Sequence, residues 1–429
     1  MGNVARRLRN LGAIPLGCAL AALCPGQAAA SDLKLFTPDT LEINGDIRLV
    51  AVDGEKSWLN GGFGKLRSGS DGDWRLGPQF GNANLIWQPQ FTWSLGATIV
   101  GSLQGGERTQ AGLSQAYLTF KPMRAGKVGI SARGGLMWPL VSLEHEGADW
   151  HVRDSITPSA INSWIGEEVR PLAIEATVAT DLGRSKLRAT AGVMAANDTS
   201  GTLLTFRGWA LHDTTTLAFH SQPLTPLDEE VAAYQAQFTH PLLDVGPGFA
   251  HRPGYYAKLA WQPPIPVRFE LFRYDNRANP EVVDSSHEWG WRTRFNNLGV
   301  VADLGPGTQL RAQAMQGKTL MGFVDEGQTH RWVDNRFRSA FALLTHAFGK
   351  VGIAARAEAF DTHNRGSDID DEYDETGWSA MLSAKREFGP VTGLVELLHV
   401  SSRREQREDA GLNPRLRQTQ LQAELRTQW

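Results

Sequence analysis

Residues 417–429 read Arg-Gln-Thr-Gln-Leu-Gln-Ala-Glu-Leu-Arg-Thr-Gln-Trp. Thr419, Leu421, Ala423, Leu425, Thr427 and Trp429 fall on one parity. Gln418, Gln420, Gln422, Glu424, Arg426 and Gln428 fall on the other. Side chains alternate across a strand with period 2, so this stretch is a strand with one apolar and one wet face. The same alternation recurs upstream. Leu41, Ile43, Ile47 and Leu49 oppose Glu42, Asn44, Asp46 and Arg48, and Val351, Ile353, Ala355, Ala357 and Ala359 oppose Arg356 and Glu358. Comparable segments lie at 91–99, 128–136, 187–193, 267–271, 310–314 and 378–385.

The connections alternate as well. Short ones fall at 88–90, 122–126, 181–185, 263–266, 305–307, 349 and 389–390. Long ones fall at 53–79, 102–112, 138–171, 276–287, 317–336, 361–375 and 402–416. A sheet of this size exposes two edges unless it closes. In lipid, closure is also what pairs every backbone group. Short turns at one end and long loops at the other are the layout of a transmembrane barrel. The expected fold is therefore all-β: an antiparallel up-and-down transmembrane β-barrel of about 18 strands. The count falls to 16 if 203–211 and 214–219 are not strands. The apolar face would meet lipid and the polar face would line the lumen. Trp87, Phe91, Trp261, Phe348, Trp378, Phe388 and Trp429 lie near strand ends, as an interfacial girdle requires.

Composition agrees. The 429 residues carry 43 basic and 46 acidic side chains, and a charge of −3 gives no basic face for nucleic acid. The mean hydropathy of −0.30 argues against a helical membrane protein and leaves a barrel open. Residues 1–30 read as a Sec-type signal peptide. Arg6, Arg7 and Arg9 precede an apolar run over Leu11–Leu23, and Ala28-Ala29-Ala30 offers a cleavage site. Residues 31–429 would then be one barrel, without cysteine because Cys18 and Cys24 lie in the leader.

A leader, alternating strands and a terminal Trp429 resemble Gram-negative outer-membrane porins. Ser114-Gln115-Ala116-Tyr117-Leu118-Thr119-Phe120 and Ile156-Thr157-Pro158-Ser159-Ala160-Ile161-Asn162 resemble short pieces of the phosphate-selective porin O and P group. That group's lysine and arginine ladder has no residue-by-residue match here, so phosphate selectivity is not carried over. The porin resemblance implies a passive, water-filled diffusion channel for small hydrophilic solutes in the outer membrane. It also implies Trp429 as the signal read by the barrel assembly machinery, and a homotrimer. The lipid bilayer and lipopolysaccharide would be its surroundings, with no enzyme activity, cofactor or metal. The alternatives are a substrate-specific channel for carbohydrates, organic acids or phosphate, and a non-transport barrel (an adhesin or outer-membrane enzyme).

Selectivity in such a channel comes from charged rings and pore width. The loop 138–171 is the candidate constriction, through Glu144, Glu146, Asp149, Arg153, Asp154, Glu167, Glu168 and Arg170. Parity places Arg48, Arg133, Arg188, Arg207, Lys258, Arg268, Arg292, Arg294, Arg311, Arg356, Lys385 and Arg426 on the lumen wall. Glu42, Asp46, Glu175, Glu270, Glu358, Glu396 and Glu424 join them. A basic wall facing an acidic loop would set up a transverse field with a mild preference for anions. The acidic run Asp368–Glu375 reads as a solvated outer loop. Ser142 and Ser155 near His145 and His151 invite a hydrolase reading, but no nucleophile motif accompanies them.

Overall fold

In the computed structural model, residues 33–121, 126–242 and 252–429 are described; the leader, with its cleavage site, lies outside them. Sixteen antiparallel strands close into one barrel. They are β1 (Leu41–Val52), β2 (Arg75–Trp87), β3 (Leu95–Gln104), β4 (Gln110–Phe120), β5 (Val128–Leu136), β6 (Leu172–Leu182), β7 (Ser185–Ala196) and β8 (Gly254–Gln262). The second half comprises β9 (Val267–Asp275), β10 (Arg292–Gly305), β11 (Thr308–Met321), β12 (Val333–Phe348), β13 (Val351–Asn364), β14 (Glu375–Phe388), β15 (Val391–Arg403) and β16 (Arg415–Gln428). Closure is made by β1 against β16, with Asn44 opposite Gln428 and Val52 opposite Gln420. Trp429 extends the ladder through backbone hydrogen bonds with Ile43 in both directions.

The stretch 203–219 supplies no barrel strand. Thr202–Phe206 is a short helix (α2, after α1 at Ala160–Glu168), and the residues after it run through the lumen. That is why the barrel has 16 strands and not 18. Leu203, Leu204 and Phe206 are apolar without alternation, so they bury all round as a helix can and a half-wet strand cannot.

The outer face carries Leu, Val, Ala and Ile along every strand. Trp261, Phe348, Phe388 and Trp429 ring the short-turn end, and Trp378 stands near the loop end. The inner face differs from a uniformly wet wall. Tyr256, Phe272, Tyr274, Phe295, Phe337, Phe341, Phe360 and Met381 point inward and form one apolar cluster with side chains from the loops. Such rings are stable in a lumen only because something covers them, and the inward loops do so.

Two inner-wall glycines let that core pack. Gly317 faces Phe337 and Gly377 faces Phe360 across the ladder, and a Cβ at either position would strike the ring. Gly317→Val is expected to cost about 1–3 kcal/mol through overpacking. The check is the temperature at which the folded barrel loses its fast migration on a gel. An unchanged temperature would show the ring free to move aside.

Candidate functional site

The loop 137–171 lies inside the barrel. Every residue of α1 is buried. Its first turn is held by carboxylates from two sides. Ala160 N donates to Glu358 (2.7 Å), and Ser159 N donates to Glu144 (3.0 Å). Ile156 N and Thr157 N donate to Glu396 (2.7 and 3.0 Å). Acids at a helix N-terminus satisfy its unpaired N–H groups and complement its dipole. The helix flank carries Trp164, packed on Trp209, Phe295 and Phe337 at ring distances of 6.1, 5.4 and 5.3 Å. At the end of the loop, Arg170 donates to the carbonyl of Ser114 on β4 (2.6 Å) and stacks on Trp138. The loop thus crosses the lumen from β4 to β11–β15.

Most of the candidate constriction residues fasten the loop rather than line an opening. Glu144 pairs with Arg356 (2.9 Å), both fully buried. Asp154 pairs with Arg311 (2.7 Å) and Lys385 (2.9 Å), and Arg153 leans on Asp154 (3.1 Å). Glu167 pairs with Arg207 (2.6 Å) and His212 (3.2 Å). Glu168 accepts from Trp164 Nε1 (2.6 Å) and from Gly201 N and Leu203 N (3.0 Å each). Burial pushes the Glu168 carboxyl up to about 7. Glu146 and Asp149 border the open volumes around the loop, and Arg153 and Asp154 border a further cavity of about 490 Å³ at the short-turn end.

Three wall assignments need correction. Arg207 is not on a strand; it follows α2 and is buried inside the lumen. Arg292 and Arg294 face outward, because the inward parity of β10 is Thr293, Phe295 and Asn297. The transverse field is also replaced by contact pairs: the acidic loop and the basic wall neutralise each other directly, and this anchors the loop. Arg48 is held by Asp46, Asp213 and Glu424 (2.5, 2.7 and 2.9 Å), and Arg133 by Glu175 (2.8 Å). In the acidic run, Glu375 points inward to Lys65, and Asp374 accepts from His363 (2.6 Å).

What stays open lies toward the short-turn end. A cavity of about 660 Å³ is bounded by Lys186, Arg188, Lys258, Arg268, Asp181 and Glu270 on the wall and by Leu140, Ser142, His145, Glu146 and Trp150 on the loop. Lys258 and Arg268 share Glu270 (2.7 and 2.9 Å). Arg188 has no ion-pair partner among the described residues. A narrower space of about 80 Å³ runs between the loop and β1–β3, past Asn44, Asn82, Ser102, Gln104 and Asp213. His145 and Trp150 border both volumes.

The divider is a small hairpin in which His145 opposes Val152 and Glu146 opposes His151. Trp150 stacks on His145 (3.8 Å) and Trp138 (4.7 Å) with φ +59°. A bulky residue in the left-handed region is strained and persists only where its surroundings enforce it. Asp149 ties the hairpin to β1 through Asn44 (3.0 Å) and to His151 (2.8 Å). Ser142 Oγ accepts from Glu144 N and His145 N and bonds His145 Nδ1 (2.8 Å), which makes it a turn cap. Asp149 orients His151, not His145, so no triad forms.

Burial alone would lower the His151 pKa, but its bonds to Asp149 and Glu146 outweigh burial and Arg426, and hold it at about 9. A pKa raised above its unfolded value near 6.5 gives stabilisation that is complete below that pH and lost as pH climbs through about 9. The hairpin is therefore expected to loosen progressively between about pH 6.5 and about pH 9. The check is the rate of proteolytic cleavage at 145–152 against pH. In His151→Gln that rise should flatten; the same rise in the variant would remove His151 from the account.

Sequence reasoning missed the second inward segment. Trp209 N donates to Glu375 (2.8 Å), Trp209 Nε1 to the Asp361 carbonyl, and Asp213 clamps Arg48 and Arg67 (2.7 and 2.8 Å). The non-alternating run at 203–211 was its signal. Among the described residues no three His, Cys, Asp or Glu side chains converge as a metal site.

No protein-family profile and no curated protein matches the chain. Solved structures do. The outer-membrane channel DcaP of Acinetobacter baumannii superposes with a TM-score of 0.52 at 10% identity, covering 95% of this chain and 100% of its own. The anion-selective porin from Comamonas acidovorans gives 0.50 at 11%, covering 91% and 99%. The fold is that of the outer-membrane porins. Within that porin fold, this barrel's loops 53–74, 137–171 and 197–219 all enter the lumen and join one another through buried ion pairs.

Proposed function

We propose that this barrel is a narrow, selective outer-membrane channel for small anionic solutes, with 137–171 as its constriction loop. The observation that carries the reading is the basic cavity at the short-turn end, bordered by Lys186, Arg188, Lys258 and Arg268 and closed above by the His145–Trp150 divider. Arg188 offers a cation without a fixed counter-charge, while Glu270 is consumed by Lys258 and Arg268. An anion entering there meets four cations against the carboxylates of Glu146, Asp181 and Glu270, a net positive lining in a confined space where field lines focus. Organic acids and phosphate fit that chemistry better than neutral carbohydrates. A wide general pore is disfavoured by the crossing loop. Among the described residues no acid orients His145, and this weighs against a hydrolytic barrel. Export through the leader, and assembly read from Trp429, complete the proposal: Trp429→Ala is expected to slow barrel insertion.

The test is the reversal potential of the purified protein in a planar bilayer under a salt gradient. Wild type should reverse on the anion-selective side, and Arg188→Glu with Arg268→Glu should move it toward cations. A wild-type reversal on the cation side would reject the proposal.

A further inference from the structure

The charges around the basic cavity limit what it can take. Lys186, Arg188, Lys258 and Arg268 border it, against Glu146, Asp181 and Glu270. His145 adds no charge at neutral pH, because burial holds its imidazole down at about 4. Four cations against three carboxylates leave the lining with a surplus of one positive charge.

That surplus is sorted in space. On the wall, Lys258 and Arg268 share Glu270 at 2.7 and 2.9 Å, and Lys186 stands directly opposite Asp181 in the β6–β7 ladder. Arg188 has no ion-pair partner among the described residues, and its diagonal neighbour across β7 and β8 is Lys258, a like charge. The loop side presents a single carboxylate, Glu146, on the divider hairpin. Its side chain is half-exposed, and its cations stand at the limit of contact, His151 at 3.7 Å and Arg153 at 3.8 Å. Those two also border the other volumes, His151 the narrow space along β1–β3 and Arg153 the cavity at the β10–β13 turns. The cavity therefore lies between a guanidinium without a partner and a weakly paired carboxylate.

Resting on the anion-channel reading above, we infer that this cavity takes monovalent organic anions and turns away divalent ones, with Glu146 as the residue that sets the limit. One carboxylate on Arg188 cancels the surplus of the lining, so a monocarboxylate completes a neutral site. A dicarboxylate of similar length brings one charge too many. Its second carboxylate reaches from Arg188 toward the loop, where it meets Glu146. Like charges confined in a space poorer in water than bulk repel more strongly than water would allow. Leu140 and Trp150 on the loop and Ala260 on the wall suit a hydrocarbon tail. They offer no hydrogen bond to a second charge that has shed its water.

The experiment is a bi-ionic reversal potential on the purified full chain in a planar bilayer at neutral pH, with sodium butyrate on one side and sodium succinate on the other. The two anions have equal carbon chains and differ by one charge. Wild type should favour butyrate by about tenfold, the order expected for one uncancelled charge in a partly dry space. Glu146→Gln should bring the two permeabilities close to equal with the butyrate conductance unchanged, and Glu146→Asp should keep the wild-type preference. A purely structural role would loosen the hairpin and raise both conductances together, and that result would overturn the role of Glu146. Equal permeability in a wild-type barrel that is anion-selective in chloride, or an unaltered preference in Glu146→Gln, would overturn the inference and leave the anion reading standing. Reversal on the cation side in a chloride gradient would remove that reading and the inference with it.

Discussion

Glu144→Ala is expected to release the constriction loop while leaving the barrel standing. Glu144 and Arg356 are both fully buried, and removing one partner of such a pair costs up to about 3–5 kcal/mol, the upper end applying where the other charge is left stranded. Arg356 would keep Glu358 at 3.3 Å and the carbonyls of Thr157 and Pro158. Ser159 and Asn162 would lose the carboxylate that organises the start of α1. That cost is a large share of a typical folding free energy of about 5–15 kcal/mol. The wall keeps its own backbone ladder, so the loss concentrates in the loop as local opening. Single-channel conductance should rise, and proteolysis within 137–171 should become faster. Wild-type conductance in a folded variant would show that the pair does not hold the pathway closed.

Trp164→Ala strikes the same loop from its apolar side. Trp164 is completely buried among Trp209, Phe295 and Phe337, and its Nε1 bonds Glu168. Truncating a buried Trp costs about 3–5 kcal/mol in transfer and cavity terms. The variant also leaves Glu168 short of a donor in a dry site. The temperature of barrel unfolding should fall, and the current should become noisy as loop and wall lose their shared core. Trp378→Ala, on the lipid face, removes a half-exposed interfacial ring and should lower the same temperature by much less. Equal effects at both positions would mean that the lumen cluster is no more tightly packed than the girdle.

The barrel itself was legible in the sequence because period 2 is a direct imprint of a wall with two solvents. β16 shows it from Gln418 to Gln428, and β13 from Ala355 to Ala359. The parity also placed Arg48, Arg133, Lys258, Arg311 and Arg356 on the inner wall. It failed at Arg292 and Arg294, although β10 runs in continuous register there, because the inner face carries Phe295 and the charged parity is the outer one. Inward aromatics such as Phe295 and Phe337 are what misled. Alternation records that two faces differ, not which one is wet, and here part of the inner face is dry because loops cover it. The contacts that decide the site were out of reach. Glu144 and Arg356 lie 212 residues apart, and nothing local marks either as the other's partner. The divider depends on Trp150 adopting a left-handed backbone that its residue type disfavours.

The most direct test of the central claim, that the inward loop makes this a narrow pathway, is a swelling assay on liposomes carrying the purified protein, with solutes of graded size. Wild type should admit small monocarboxylates and exclude disaccharides, while Glu144→Ala should admit both. Rapid entry of disaccharides through the wild-type barrel would contradict it.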